Sequence, residues 1–262
     1  SIARRNKEIG AGGRSGGNSS LSEEASGVPA AGAVSRGGAV SASIAGGAVS
    51  SAAMQPSHLL LATLGAYLAG SIPFGLIVAR ATGGPDPRAI GSGRLGGTNS
   101  LRALGRRRAA VVSAGDVLKG FLPIIAVRTA GGDDLLVSIA ALCAVTGATR
   151  SVWVGFKGGR GIATGVGTAL AIAPLAVAAA APLFFLLIWR TRIVSIGSLA
   201  AAFAFAPASL IIRATTGPAI DMGFAAYAII GPALVWIAHA DNIARLLDGS
   251  ERRFDVEMLQ RD

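Results

Sequence analysis

Residues 162–189, IATGVGTALAIAPLAVAAAAPLFFLLIW, decide how many times this chain crosses a membrane. They include no charged residue, and Pro174 interrupts them near the middle. One tilted helix here gives six spans, whereas two helices that meet at Pro174 give seven, although each half is short for a hydrocarbon core of about 30 Å. Seven spans put the basic loops on one side, which the positive-inside rule makes cytoplasmic. We therefore predict seven.

The composition is typical of a membrane protein with an anionic ligand. Of the 262 residues, 52% are hydrophobic and 15% are charged, whereas about a quarter are charged in soluble domains. The net charge of +10 favours phosphates or anionic lipid head groups as ligands. A basic nucleic-acid module is not normally this apolar, so we predict no nucleic-acid partner. One cysteine and two histidines exclude a multi-thiolate or histidine-rich metal site, and we predict no metal and no cofactor.

The predicted fold class is all-α, a polytopic membrane helix bundle with seven transmembrane helices and a disordered N-terminal tail. Residues 1–55 are rich in Ser, Gly and Ala without a sustained apolar period, and we expect them to be disordered and outside the cell. Residues 56–254 form the membrane-embedded domain, and residues 255–262 form a short C-terminal tail. The apolar segments besides 162–189 are residues 58–80, 109–127, 135–149, 193–212 and 223–238.

Two glycine-rich basic loops are the candidates for an anion site. The first, residues 91–108, reads GSGRLGGTNSLRALGRRR, and the second, residues 156–164, reads FKGGRGIAT. Glycine lets backbone N–H groups converge on an anion, and arginine adds a planar fork of donors. Neither loop has the spacing of a P-loop, so we do not predict a nucleotide triphosphatase. The alternative is that both are solvated loops that only set the topology.

Two pairs of polar residues occur at helical spacing. Asp116 and Lys119 lie three residues apart in an apolar segment, on one helical face. Charges inside a membrane segment usually face a bundle interior or a functional site, so this pair is either a structural ion pair or part of a site. His239 and Asn242, at the end of the last span, are also three apart. His239 either anchors the helix at the membrane interface, binds an anion or orients a substrate hydroxyl.

Four motifs, in order along the chain, resemble the bacterial acyl-phosphate-dependent glycerol-3-phosphate acyltransferases, the PlsY family. The first is the loop at residues 91–108 with Asp116-Val-Leu-Lys-Gly120 after it, and the second is Lys157-Gly-Gly-Arg-Gly-Ile-Ala-Thr164. The third is Val194-Ser-Ile-Gly-Ser198, and the fourth runs from residue 239 to residue 254. The resemblance implies a seven-helix enzyme of the bacterial inner membrane with its active site on the cytoplasmic face.

The resemblance also implies an activity, the transfer of an acyl group from acyl phosphate to the 1-hydroxyl of glycerol 3-phosphate. The product is lysophosphatidic acid, in the first step of phospholipid synthesis, and no protein nucleophile is expected, a substrate phosphate being the expected base. The expected partners are these two substrates, the lipid bilayer and the enzyme that supplies acyl phosphate. The implied catalytic residues are Ser92, Arg102, Arg160, His239 and Asn242. The implied substrate-binding residues are Gly93, Gly96, Gly97, Thr98, Asn99, Lys157, Gly158, Gly159 and Ser198.

Within that set the two substrates are expected at different residues. Ser92, Gly93 and Thr98 are expected beside acyl phosphate. The residues expected to hold glycerol 3-phosphate are Arg102, Arg160, Ser198, His239 and Asn242.

Several positions depart from the family's usual pattern. Arg94 stands where the first loop usually has asparagine, and Arg160 stands where the second usually has lysine. Ala148 and Ser151 stand where a histidine and a proline are usual. These departures leave two alternatives to the acyltransferase. One is a catalytically impaired family member that binds a phosphorylated lipid precursor, and the other is a small organic-anion transporter.

Overall fold

The computed structural model describes residues 56–254, and within that range every regular element is helical. The predicted disordered tail at residues 1–55 and the C-terminal tail at residues 255–262 lie outside the described residues. Short 3-10 turns occur at Pro87–Ala89 and Val152–Val154. The ten α-helices of the described range are α1 (Pro56–Ser71), α2 (Phe74–Ala81), α3 (Gly97–Leu104), α4 (Arg106–Thr129), α5 (Asp134–Thr149), α6 (Ile162–Ile172), α7 (Pro174–Thr191), α8 (Val194–Thr216), α9 (Met222–Ala238) and α10 (Ala240–Leu247).

The segment at residues 162–189 forms two helices, as predicted. Helix α6 ends at Ile172, and Pro174 is the first residue of α7. Proline suits that position because its φ is already helical and the first N–H groups of a helix have no intrahelical partner. The carbonyl of Ala169 accepts a hydrogen bond from the N–H of Ala173, which closes the last turn of α6.

The described chain passes seven times between the two ends of one bundle. We call one end the loop end, where residues 82–105, 150–161 and 239–254 lie, and the other the far end. At the loop end the N–H of Phe254 donates to the carbonyl of Arg192, which follows α7. At the far end Arg213, near the end of α8, pairs with Asp134 at the start of α5. The predicted return of the chain after Pro174 is therefore confirmed.

Length and composition qualify most of these passes as membrane spans. Within residues 56–254 four helical segments are long and apolar enough, and two bent pairs raise the number to six if each pair is one span. The pairs are α1 with α2, bent by 45°, and α9 with α10, bent by 60°. The remaining pass is α6, whose 11 residues extend about 16 Å. Its role as a seventh full span stays a prediction.

Glycines set the distance between the packed helices. A Cβ on Gly167 of α6 would overlap the carbonyl oxygen of Val117 in α4, and a Cβ on Gly120 of α4 would overlap the carbonyl of Thr164 in α6. Gly70 of α1 meets the backbone of α5 in the same way, at Ala144. Small residues at such contacts are the usual means of close helix packing in membranes, where the lipid offers no hydrophobic drive between helices.

The break between α1 and α2 is tied to two other elements. The last carbonyls of a helix have no intrahelical donor, and here two side chains supply one. Lys119 Nζ of α4 donates to the carbonyl of Ile72 at 2.8 Å, and Ser151 Oγ donates to the carbonyl of Ser71 at 2.6 Å. Pro73 follows directly, and α2 continues at an angle of 45° toward the first loop. The break therefore positions the first loop relative to α4 and to the second loop.

Replacement of Gly167 by alanine is expected to force α4 and α6 apart and to destabilise the bundle. Overpacking of this kind costs about 1–3 kcal/mol, which thermal unfolding of the purified protein in detergent would detect as a lower Tm. The matched control is Gly65→Ala in α1, where an added Cβ has no neighbour within 4 Å. An equal Tm for both variants would contradict the proposed packing contact.

Candidate active site

A polar cavity of about 210 Å³ lies at the loop end and is lined by both basic loops. Residues 94–99 of the first loop and residues 159–164 around the second loop face each other across it. Ser198 of α8 and Ala148 of α5 complete the wall. Three of the four sequence motifs therefore line one cavity, whereas the fourth, residues 239–254, supplies no lining residue and contacts the first two loops through Asp241. The predicted site residues that line this cavity are Gly96, Gly97, Thr98, Asn99, Asp116, Lys119, Gly159, Arg160 and Ser198.

The first loop is held in shape by Asn99, which lies buried in the first turn of α3. Its side-chain oxygen accepts from the N–H of Ser92 at 3.0 Å. Its amide nitrogen donates to the carbonyls of Pro87 and Arg94 at 2.7 and 3.0 Å. These bonds use the amide group of Asn99 within the loop, although the residue lines the cavity. Gly93 has φ +69°, a left-handed conformation that glycine adopts without strain and that turns the loop.

The second loop contacts the first through Gly159. A Cβ on this residue would overlap the carbonyl oxygen of Leu95, so only glycine permits this approach. Gly158 is buried against the end of α5, where its N–H donates to the carbonyl of Thr149. Lys157 is exposed and does not line the cavity. Of this loop's predicted residues, Gly159 and Arg160 thus reach the cavity, whereas Gly158 supports the backbone.

Asp116 and Lys119 form a buried ion pair at 2.7 Å, on one face of α4 as predicted. Both residues line the cavity, and the second bond of Lys119 goes to the carbonyl of Ile72. Because each charge is neutralised by the other, the pair adds no net charge to the cavity. The pair therefore joins α4 to the end of α1 through Lys119, and it also forms part of the cavity wall.

Arg160 is held by Asp241, a residue to which the sequence alone assigned no role. Arg160 Nη2 lies 2.9 Å from Asp241 Oδ2. Burial raises the pKa of Asp241, but the guanidinium groups of Arg160 and Arg94 outweigh burial and hold this pKa below its ordinary value. Asp241 is therefore a carboxylate at neutral pH. Its position beside Asn242 in the fourth motif was the only signal available in the sequence.

His239 is a neutral acceptor at the start of α10. The side chain is 2% exposed, and burial lowers the pKa of the imidazole below its ordinary value. Its Nδ1 lies 2.8 Å from the carbonyl oxygen of Val235, which can only accept, so Nδ1 carries the proton. Nε2 of the neutral ring is then an acceptor. This tautomer suits a bond from a substrate hydroxyl better than a bond to an anion.

Asn242, one turn after His239, is fixed by the chain that follows α10. Its amide nitrogen donates to Glu251 Oε1 at 2.7 Å, and Glu251 also accepts from Ser195 Oγ at 3.2 Å and from Arg245 Nε at 2.7 Å. The amide oxygen of Asn242 is buried and has no hydrogen-bond partner among the described residues. It is therefore an unpaired buried acceptor close to the polar cavity, although Asn242 is not among the residues that line it.

Arg102 and Ser92 lie in the first loop and α3 but outside the residues that line the cavity. Arg102 packs beside Gly91, and burial, followed by the nearby Arg252, lowers the pKa of its guanidinium. Within the described residues no hydrogen bond or ion pair neutralises Arg102. The hydroxyl of Ser92 is likewise buried without a partner in that range. A half-buried cation and an unpaired hydroxyl in one loop are features of an anion site.

A second cavity, of about 260 Å³ and almost wholly apolar, adjoins the polar one. Ile162, Phe184 and Ser198 line both cavities, so the two share a wall. The apolar cavity extends along α8 from Ser198 to Phe205 and along α9 from Val235 to Tyr227. A cation-bearing site that opens beside an apolar cavity inside a membrane bundle suits an amphiphile with an anionic head. The molecule is thus a multi-pass membrane protein with a polar cavity and an apolar cavity side by side at its loop end.

Comparison with known proteins agrees with this class. The family described as glycerol-3-phosphate acyltransferase matches residues 60–249, and the chain belongs to that family. A glycerol-3-phosphate acyltransferase of Geobacter sulfurreducens is 40% identical over 195 residues, which are 74% of this chain and 97% of the relative. One from Synechococcus sp. (strain JA-3-3Ab) is 44% identical over 201 residues, 77% of this chain and 96% of the relative.

Two crystal structures of PlsY, an integral membrane glycerol 3-phosphate acyltransferase, are also similar. The glycerol 3-phosphate form is 35% identical with a TM-score of 0.69, and it aligns with 77% of this chain and 98% of its own. The lysophosphatidic acid form is 34% identical with a TM-score of 0.67, at the same coverage. The family resemblance carried by the four motifs is therefore confirmed, as is the expectation of a membrane acyltransferase.

Acidification is expected to destabilise the protein through His239. Its pKa in the folded protein lies below the ordinary value of 6.5, so the unfolded chain binds more protons as the pH falls below about 6.5. The stability present above that value is lost as the pH falls toward the pKa of the folded state. Thermal unfolding in detergent from about pH 7.5 to about pH 5 measures the loss.

The control for this pH dependence is the other histidine of the chain. His58→Asn removes an exposed imidazole and should keep the wild-type decline of Tm with acid. His239→Asn should flatten the decline, even if its Tm is lower at every pH. A decline of wild-type slope in His239→Asn would show that another group causes it.

Proposed function

We propose that this chain transfers an acyl group from acyl phosphate to the 1-hydroxyl of glycerol 3-phosphate, which yields lysophosphatidic acid and inorganic phosphate. The observation that carries the proposal is the shared wall of the polar and apolar cavities, formed by Ile162, Phe184 and Ser198. A water-soluble phosphate fits the first cavity and an acyl chain the second, so the acyl carbonyl would lie where they meet. The names of the relatives and the glycerol 3-phosphate and lysophosphatidic acid forms of PlsY support the acceptor and the product.

The proposed binding roles follow the distribution of cations and unpaired polar atoms. Arg160 and Arg102 bind the phosphate of glycerol 3-phosphate, together with Ser198 and the side chain of Asn242. Ser92, Gly93 and Thr98 lie toward the phosphate of the acyl donor. The guanidinium groups supply charge-assisted hydrogen bonds, which are about twice as strong as neutral ones.

The chemical step needs orientation rather than a protein nucleophile. The 1-hydroxyl oxygen attacks the carbonyl carbon of acyl phosphate, a C–O ester bond forms, and the bond from that carbon to the phosphate oxygen breaks. Nε2 of His239 accepts a hydrogen bond from the hydroxyl as glycerol 3-phosphate binds. In the chemical step the hydroxyl proton leaves that hydrogen bond and passes to an oxygen of the departing phosphate. Acyl phosphate is already an activated anhydride, so positioning of two anions and stabilisation of the developing charge supply the catalysis.

The proposed setting is the inner membrane of a bacterium, with the loop end in the cytoplasm and the N-terminus outside. Several arginines lie at the loop end: Arg106, Arg107 and Arg108 begin α4, Arg190 is in the last turn of α7, and Arg192 follows that helix. The positive-inside rule then orients the bundle. An enzyme that makes acyl phosphate on the cytoplasmic side is the expected protein partner.

The direct test is phosphate release by the purified protein with palmitoyl phosphate and glycerol 3-phosphate. Release that requires both substrates, with lysophosphatidic acid identified by mass spectrometry, is the expected result. Binding of glycerol 3-phosphate without turnover would instead favour a catalytically impaired family member. Transport of an organic anion into proteoliposomes without acyl transfer would favour the transporter.

Arg102→Ala is expected to lower kcat/KM by about tenfold to a hundredfold, because a hydrogen bond to a charged group contributes about 1.5–3 kcal/mol. Arg108→Ala is the matched control, because Arg108 is an exposed arginine at the start of α4, whereas Arg102 is half-buried beside Gly91. Its activity should stay within about twofold of wild type. Wild-type turnover by Arg102→Ala would refute its assignment to the substrate.

Ala202→Phe is expected to fill the apolar cavity, since Ala202 of α8 lines it. The KM for palmitoyl phosphate should rise by about tenfold or more, while the KM for a short-chain acyl phosphate should change little. Ala206→Phe, one turn further along α8 and outside both cavity linings, is the control. Equal effects on long and short donors would place the acyl chain elsewhere.

A further inference from the structure

Three arginines from three different segments converge on the single carboxylate of Asp241. Arg160 Nη2, from the second loop, lies 2.9 Å from Oδ2, and Arg245 Nη1, from α10, lies 3.3 Å from the same oxygen. Arg94 Nη2, from the first loop, lies 3.7 Å from Oδ1. Arg94 is also the residue that replaces the asparagine usual in the family's first loop. The arginine at position 94 therefore lies beside a carboxylate, Asp241, in this structure.

The charges of this cluster do not balance. Arg245 has a second and shorter ion pair, with Glu251 at 2.7 Å, which accounts for its charge. The single charge of Asp241 is then left to face both Arg94 and Arg160. The other charged groups in the cavity wall, Asp116 and Lys119, neutralise each other. The described part of the cavity thus carries an excess positive charge, which an anionic group would neutralise.

Arg94 is the less firmly held of the two cavity arginines. The distance of 3.7 Å from its Nη2 to Asp241 Oδ1 exceeds hydrogen-bond length, and Oδ1 is buried without a hydrogen bond from any described residue. Arg160 has a true hydrogen bond to Oδ2. The backbone of Arg94 is fixed by the bond from Asn99 to its carbonyl, and its side chain lines the cavity. Its guanidinium can therefore turn to a ligand without disturbance of the loop.

We propose that Arg94 binds the phosphate group of the acyl donor, and that Asp241 is a positioning residue that holds the guanidinium of Arg94 at the cavity when no donor is bound. This inference rests on the proposed function. The donor is the more suitable ligand because Arg94 directly follows Ser92 and Gly93, which are proposed to lie at acyl phosphate, whereas Arg160 is proposed to bind glycerol 3-phosphate from the opposite wall. The two guanidinium groups then bind one phosphate each, with the carboxylate of Asp241 between them.

Steady-state kinetics of Arg94→Ala test the assignment. Removal of one charge-assisted hydrogen bond should raise the KM for palmitoyl phosphate about tenfold and leave the KM for glycerol 3-phosphate within about twofold. The inhibition constant of inorganic phosphate, measured against palmitoyl phosphate, should rise in parallel, because phosphate is the departing part of the donor. An unchanged KM for palmitoyl phosphate, or an equal rise for both substrates, would overturn the proposal.

Two further variants separate donor binding from general charge and from a structural ion pair. Arg80→Ala removes an exposed arginine at the end of α2, outside the cavity lining, and should leave both KM values unchanged. In an Asp241→Asn background, Arg94→Ala should still raise the KM for palmitoyl phosphate. If its effect disappears there, Arg94 acts only through its ion pair with Asp241, and the proposal is wrong.

A failure of the proposed function would be visible separately. Wild-type protein that releases no phosphate with both substrates would refute the acyltransferase activity itself. Calorimetric titration with inorganic phosphate then tests Arg94 without turnover. Weaker phosphate binding by Arg94→Ala than by wild type and Arg80→Ala would support an anion site at Arg94, and equal affinities would overturn it.

Discussion

Two hydrogen bonds to the last carbonyls of α1 organise the loop end. Lys119 reaches the carbonyl of Ile72 from α4, and Ser151 reaches the carbonyl of Ser71 from the segment before the second loop. Ser151 is the donor to the carbonyl of Ser71, and Lys119 adds a second donor to the carbonyl of Ile72, which also accepts from the N–H of Phe74, so both carbonyls at the break are paired. The break turns α2 toward the first loop, and the same two donors hold that loop beside α4 and the second loop. The positions of the cavity walls therefore depend on the contacts made at the end of α1.

The two adjoining cavities differ in character: one is lined by arginines and the other is apolar. The polar cavity is lined by arginines from both loops. The two loops approach each other closely where Gly159 of the second loop packs against the backbone of Leu95 in the first. The apolar cavity is lined by apolar side chains of α6, α7, α8 and α9, and the edge-to-face pair of Phe205 and Tyr227 forms part of its wall. A substrate that is both a phosphate and a lipid would be oriented by the contrast between the two. The wall at Ser198 is then the natural position for the reacting carbonyl.

Periodicity and turn chemistry predicted the path of the chain well. Pro174 indicated a helix start, and a spacing of three placed Asp116 and Lys119 on one face; both are local properties that a sequence displays. The tertiary contacts of the site were not predictable in this way. Lys157 and Arg160 look alike within one motif, yet only Arg160 reaches the cavity, because the loop turns between them.

Other site residues were hidden for a related reason. Asp241 and Glu251 read as ordinary surface acids near the end of the chain, and only the bend of 60° after α9 brings α10 against both loops. Asn99 was expected at the substrate, but its amide is used inside the first loop, where three backbone groups need partners. Sequence patterns show which residues can bind an anion. Only the fold shows which of these side chains are already hydrogen-bonded within the loop, as Asn99 is.

The contacts of Glu251 have a consequence for the order in which the protein matures. Glu251 joins Ser195, Asn242 and Arg245, and Phe254 closes onto the backbone of Arg192. Chains are synthesised from the N-terminus and begin to fold as they emerge. Helices α1 to α8 and both basic loops therefore precede Glu251 in synthesis, and the contacts that hold Asn242 are among the last to form. Since Asn242 is proposed to bind glycerol 3-phosphate, that binding site would be completed only after residue 254 has been synthesised.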